Sequence, residues 1–168
     1  LRIRGREHAA GVTHAASWPP AAALLALAVA LLAPLAGAWA RGDTQPVPFR
    51  VVDDGIPEPL TSQPGDVERG RAVALDRSLG NCITCHEMPV RADFQGNLGP
   101  PLEGLASRYT LPELRLRVVD SKRINPESNM PSFYRIEGLY NVRRDWAGRT
   151  MLTAQQVEDL LAYLMTLR

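Results

Sequence analysis

The residues with the most chemistry in this 168-residue chain are five in a row, Cys82-Ile83-Thr84-Cys85-His86. Two thiols separated by two residues and followed at once by an imidazole form the pattern for covalent attachment of a c-type haem. The spacing lets both sulfurs reach the vinyl-derived carbons on one edge of a porphyrin, each forming a thioether. The next side chain then swings under the iron as its proximal ligand. Other uses of a Cys-x-x-Cys pair fit worse. A thioredoxin-like pair follows a strand and opens a helix, but no Val/Ile run precedes Cys82. A structural zinc needs four ligands. These are the only two cysteines, and the remaining histidines, His8 and His14, lie in a segment expected to be removed. A disulfide across two residues would leave His86 without a role.

Haem iron has a second axial position, and the four methionines are its candidates. Met88 is too close to His86 to cross to the other face. Met165 falls in a terminal helix and reads as core, and Met151 just before that helix is the weaker candidate. Met130 stands in Asn129-Met130-Pro131-Ser132-Phe133, 44 residues beyond His86. There Pro131 stiffens the loop and Phe133 can cover the haem edge. A thioether is a soft ligand that favours Fe(II) and raises the potential. Histidine–methionine ligation fills both axial positions, which points to electron transfer and away from oxygen binding. On the proximal side, Asn97-Leu98-Gly99-Pro100-Pro101-Leu102 begins 11 residues after His86. Proline has no N–H to donate but keeps its carbonyl. Pro100 is the candidate to accept a hydrogen bond from His86 Nδ1, which would set the tautomer and orientation of the ring.

Helices must position these groups. One is expected to start at Asp66, which can cap it, with Val67, Gly70, Val73 and Ala74 on one face. Glycine inside a helix costs propensity, so Gly70 implies close approach of another helix. Thr110-Leu-Pro-Glu113 carries a capping box and a first-turn proline, predicting a helix from Leu111 to about Val119. Its Arg115 and Arg117 lie on different sides, expected in solvent or facing a haem propionate or a partner. Residues 120–135 read as a long loop. A last helix begins at Thr153 with Gln156 three residues on. Val157, Leu160, Leu161 and Leu164 form its apolar stripe, and it can cross the first helix near Gly70. With no convincing strand network, the expectation is an all-α fold packed around one covalent haem.

The N-terminal part reads differently. Arg2, Arg4 and Arg6 precede an almost pure Ala/Leu/Val run at 21–33, broken by Pro34 and Gly37 and followed by Ala38-Trp39-Ala40. This is the pattern of a secretory signal peptide over residues 1–40, cleaved after Ala40. The run is short of the roughly 20 residues that span a bilayer, so no membrane span is expected after cleavage. Removal would change the charge from 19 basic and 18 acidic side chains to 16 and 17, a formal −1. Arginines balanced throughout by acids exclude a nucleic-acid surface. Export agrees with haem attachment, which in bacteria takes place outside the cytoplasm, so a periplasmic location is expected. Residues 41–65, with Pro46, Pro48, Pro57 and Pro59, read as an extended arm laid on the surface of the domain or of a partner. Residues 66–168 form the haem domain.

These segments resemble a known family. The haem domain is similar to the class I cytochromes c and, more narrowly, to SoxX, the monohaem subunits of the SoxAX cytochromes of bacterial sulfur oxidation. The resemblance is carried by Gly80-Asn-Cys-Ile-Thr-Cys-His86, Gly96-Asn-Leu-Gly-Pro-Pro-Leu102, Leu114-Arg-Leu-Arg-Val-Val-Asp120, Arg123-Ile-Asn-Pro-Glu-Ser-Asn-Met-Pro-Ser-Phe-Tyr-Arg135 and Leu152-Thr-Ala-Gln-Gln-Val-Glu-Asp-Leu160. It implies one haem c on Cys82 and Cys85, with His86 and Met130 as axial ligands. It also implies a SoxA-type haem c partner, a thiosulfate-carrier protein reached through the complex, and a soluble cytochrome c as electron acceptor. The complex reaction, that of an L-cysteine S-thiosulfotransferase, couples thiosulfate oxidatively to a carrier cysteine. This chain would be its non-catalytic redox subunit, since after haem attachment it keeps no free cysteine. A free-standing periplasmic electron carrier is the alternative.

Overall fold

The computed structural model describes residues 44–168; the expected signal peptide lies outside the described residues. Four α-helices follow the arm: α1 (Val67–Leu75), α2 (Leu105–Arg108), α3 (Leu111–Ile124) and α4 (Ala154–Leu164), with short 3₁₀ turns at Cys82–Thr84 and Arg144–Trp146. Among the described residues the only β pairing is an isolated bridge between Val52 and Gly55. The fold is all-α, as expected.

Capping chemistry places the helix starts. Asp66 accepts from the Arg69 N–H at 2.8 Å. The Thr110 N–H donates to Glu113 Oε2 at 2.7 Å. Thr153 and Gln156 bond reciprocally, side chain to backbone, at 3.2 and 2.9 Å. Each bond satisfies an N–H that a helix end would otherwise leave without a partner.

Helices α1 and α4 pack face to face. The reason is Gly70, where a Cβ would overlap the backbone carbonyl of Asp159, so only glycine allows this approach. Val73 and Ala74 meet the α4 stripe of Val157, Leu160, Leu161 and Leu164, all buried. Val67 does not join them and stays exposed. Burial of each large aliphatic side chain contributes roughly 1.5–3 kcal/mol.

Two expectations need correction. Residues 120–124 are not loop: α3 reaches Val119 as expected, breaks at Asp120 (φ −150°, ψ 78°) and adds a further helical turn to Ile124. Arg115 is not in solvent: it is 2% exposed. Its Nε and Nη2 donate to the Glu158 carboxylate at 2.8 and 2.9 Å, and its Nη1 donates to Ile56 O at 2.7 Å. The Leu60 N–H completes the same carboxylate at 2.9 Å. The arm therefore lies on its own domain. Ile56 and Leu60 are buried, Ile56 N donates to Pro112 O, and Val47 N donates to the Tyr134 hydroxyl at 3.0 Å.

The neighbouring Asp159 collects the start of α1. It accepts from the Asp66 N–H at 2.8 Å, from Arg69 at 2.7 and 2.9 Å and from Gln155 at 2.9 Å. Burial alone would push its carboxyl up, but these donors outweigh it and hold the group below the usual carboxylate range. Because the folded value is depressed, its stabilisation is complete above the unfolded pKa of about 3.9. It is lost as pH falls through the folded value. The stability gap between wild type and Asp159→Asn should be flat above about pH 5 and close in acid, read by urea titration of the haem-loaded protein. Glu158→Ala strands a buried guanidinium and should cost about 3–5 kcal/mol in the same assay.

Candidate haem site

The Cys-x-x-Cys-His segment is shaped by its own backbone. Asn81 takes a left-handed conformation (φ 49°) and its side chain accepts from the Thr84 hydroxyl. Cys82–Thr84 form a 3₁₀ turn, and the His86 N–H donates to Cys82 O at 2.9 Å. This single tight turn carries Cys82, Cys85 and His86 together. Both cysteines are free thiols. Burial pushes the Cys82 thiol up to about 12.

The segment after the motif folds back over it. Gly96 N donates to Ile83 O at 2.9 Å, Gly99 N to Cys85 O at 2.8 Å and Leu102 N to Glu87 O at 2.8 Å. This stitching brings Pro100 O within 2.7 Å of His86 Nδ1. With the proton on Nδ1 as donor, the lone pair of Nε2 is left for a metal. At Gly99 a Cβ would run into the imidazole ring, so the glycine keeps room for His86 in this orientation. Gln95, which the sequence reading passed over, braces the return. Its Oε1 accepts from Met88 N at 2.6 Å and its Nε2 donates to Val90 O at 2.9 Å.

Met130 stands on a separate support. It is half-buried against the core, and its carbonyl accepts from the Ser121 hydroxyl at 2.6 Å. Its N–H donates to Ser128 Oγ at 3.2 Å. The other methionines are elsewhere: Met88 is buried in the core, Met151 is exposed, and Met165 caps the end of α4. Phe133, expected over a haem edge, is buried in the hydrophobic core.

These residues fit a haem c. Two free thiols share a turn with an imidazole whose outer nitrogen is already bonded, and a thioether lies in a half-buried loop. One further observation agrees. Arg117 Nη1 is buried without a hydrogen-bond partner among the described residues, while its guanidinium stacks 4.2 Å from the Tyr109 ring centroid. A buried donor left without an acceptor is costly, and a haem carboxylate is the kind of group that would satisfy it. Among the described residues no cluster of three or more His, Cys, Asp or Glu side chains is placed to hold a bare metal ion.

A covalent-haem turn within an all-α fold defines a class, and the chain belongs to the cytochrome c family, whose sequence profile matches residues 67–168. Membership implies covalently bound haem and a general electron-transfer role. Among solved structures, the chain is similar to a chain of SoxXA from P. pantotrophus. The two are 32% identical with a TM-score of 0.67, and the match covers 74% of this chain and 98% of that one. None of the curated proteins compared matches the chain. No helix among the described residues is long and apolar enough to cross a membrane.

Gly99→Ala should force the His86 ring or the 96–100 turn to move, breaking the bond to Pro100 O. We expect a lower yield of haem-loaded protein and a changed chemical shift at His86 Nδ1, read by absorbance and by ¹⁵N NMR.

Proposed function

We propose that this chain is the monohaem electron-transfer subunit of a SoxAX-type cytochrome. Cys82 and Cys85 would hold one haem c, His86 and Met130 would be its axial ligands, and Pro100 would orient His86. The carrying observation is the likeness to a SoxXA chain over nearly that chain's whole length, far beyond the haem motif alone. The haem, when bound, supplies a one-electron Fe(III)/Fe(II) couple. The chain's own residues shape that couple. His86, held by Pro100 O, presents Nε2 in a set orientation, and the Met130 thioether favours the reduced iron.

The complex reaction joins the terminal sulfur of thiosulfate to a carrier-protein cysteine. One S–S bond forms, the thiol proton is released, and two electrons leave toward a soluble cytochrome c. The sulfur chemistry belongs to the SoxA-type partner, since once both thioethers have formed this chain has no cysteine left. The chain is thus a redox subunit that acts with its partner, in the periplasm, where its expected signal peptide would deliver it.

The deciding experiment combines the haem-loaded protein with its host's SoxA-type subunit and carrier protein, adds thiosulfate, and follows the absorbance of this haem. Reduction that requires all three supports the reading. A protein that forms no stoichiometric complex and is reduced only by generic donors is instead a free-standing carrier. Met130→Ala should leave the haem attached, lower its potential on the order of 100 mV or more, and open the iron to added ligands. An unchanged potential and spectrum would remove Met130 from the site.

A further inference from the structure

We propose that Asp120 is the positioning residue for the Met130 segment, its carboxylate fixing residues 130–135 against the broken end of α3 and so setting how readily Met130 leaves the iron. The inference rests on the assignment of Met130 as distal ligand.

Asp120 is the one position in α3 with non-helical backbone. At this break the carbonyls of the two preceding residues accept bonds from outside the helix. Val118 O takes the Phe133 N–H at 3.1 Å and Val119 O takes the Tyr134 N–H at 3.2 Å. One residue later, Ser121 donates to Met130 O at 2.6 Å. The break therefore turns the end of a helix into a cradle for the chain on either side of Pro131. The Asp120 carboxylate locks the cradle from its side chain. Oδ1 accepts the Ser132 hydroxyl at 2.7 Å, and Arg135 Nη1 lies 3.4 Å from both oxygens.

Ser132 is buried, so its hydroxyl needs an acceptor, and leaving it without one is costly. Asp120 is itself mostly buried, with its side chain 15% exposed, where screening of a charge-assisted bond is weak. Both of its side-chain partners belong to the segment that follows Met130. Its removal should loosen that segment locally and leave the packing of α1 on α4 intact.

The test uses purified ferric haem-loaded protein and imidazole, a ligand that competes with the thioether for iron. Its apparent affinity rises with the fraction of molecules whose Met130 segment is open. Asp120→Ala should bind imidazole on the order of tenfold more tightly than wild type. Its thioether-to-iron absorption band should disappear at a lower urea concentration than its far-UV circular dichroism. Asp120→Asn keeps an acceptor for Ser132 and should restore most of the wild-type behaviour. Ser132→Ala, which leaves the backbone break and Arg135 in place, should show the same change to a smaller degree.

Wild-type imidazole affinity in Asp120→Ala and Ser132→Ala, or band and helix signals lost together, overturns the role of Asp120 alone. A Met130→Ala variant with the wild-type band and imidazole affinity overturns the ligand assignment and this proposal with it.

Discussion

Two adjacent carboxylates in α4, Glu158 and Asp159, hold the rest of the structure in register. Consecutive helical residues point about 100° apart, so the pair reaches in two directions. Glu158 gathers the arm and α3 through the Leu60 N–H and Arg115. Asp159 gathers the start of α1 through the Asp66 N–H and Arg69. Both work only because α4 lies directly on Gly70. Buried charges are costly unless fully paired. The donors come from the arm, the start of α1, α3 and α4 itself, so the segments that meet there must meet in one geometry.

The two sides of the candidate haem site are built on different principles. The histidine side is a short, self-bonded unit: a tight turn, a return segment stitched to it by backbone bonds, and a glycine that leaves space for the ring. Its geometry follows from residues within about twenty positions of each other. The methionine side depends on a helix that breaks and hands its freed carbonyls to a later segment. Such a joint can open without disturbing the helices beneath it. With His86 and Met130 as the proposed axial ligands, the proximal one would be held constant while the hold on the distal one stayed adjustable.

Electron transfer is well served by this division. An iron with both axial positions filled changes oxidation state with little rearrangement and offers no open site to small molecules. The chain adds an apolar packed shell, and both of its thiols would be taken up as thioethers in the proposed haem-loaded protein.

Much of this was legible in the sequence, because the signals are local. Asp66, Thr110 and Thr153 announce their helices by capping chemistry that spans three residues. The α4 stripe follows from helical periodicity, and Gly70 from the cost a helix accepts only for close contact. Cys82, Cys85, His86 and Pro100 fall at spacings set by short-range geometry. What only the tertiary structure decided depends on partners far along the chain. Arg115 reads as solvated until Glu158 and Ile56 arrive from two distant segments. The arm could have served a partner until Tyr134 and Pro112 bound it to its own domain. The break at Asp120 is held by Phe133, Tyr134 and Ser132, which return to claim the end of the first stretch of α3 before its further turn to Ile124. Local patterns name the elements and the reactive groups; burial, counter-charge and the support of Met130 are properties of contacts that exist only once the chain has folded.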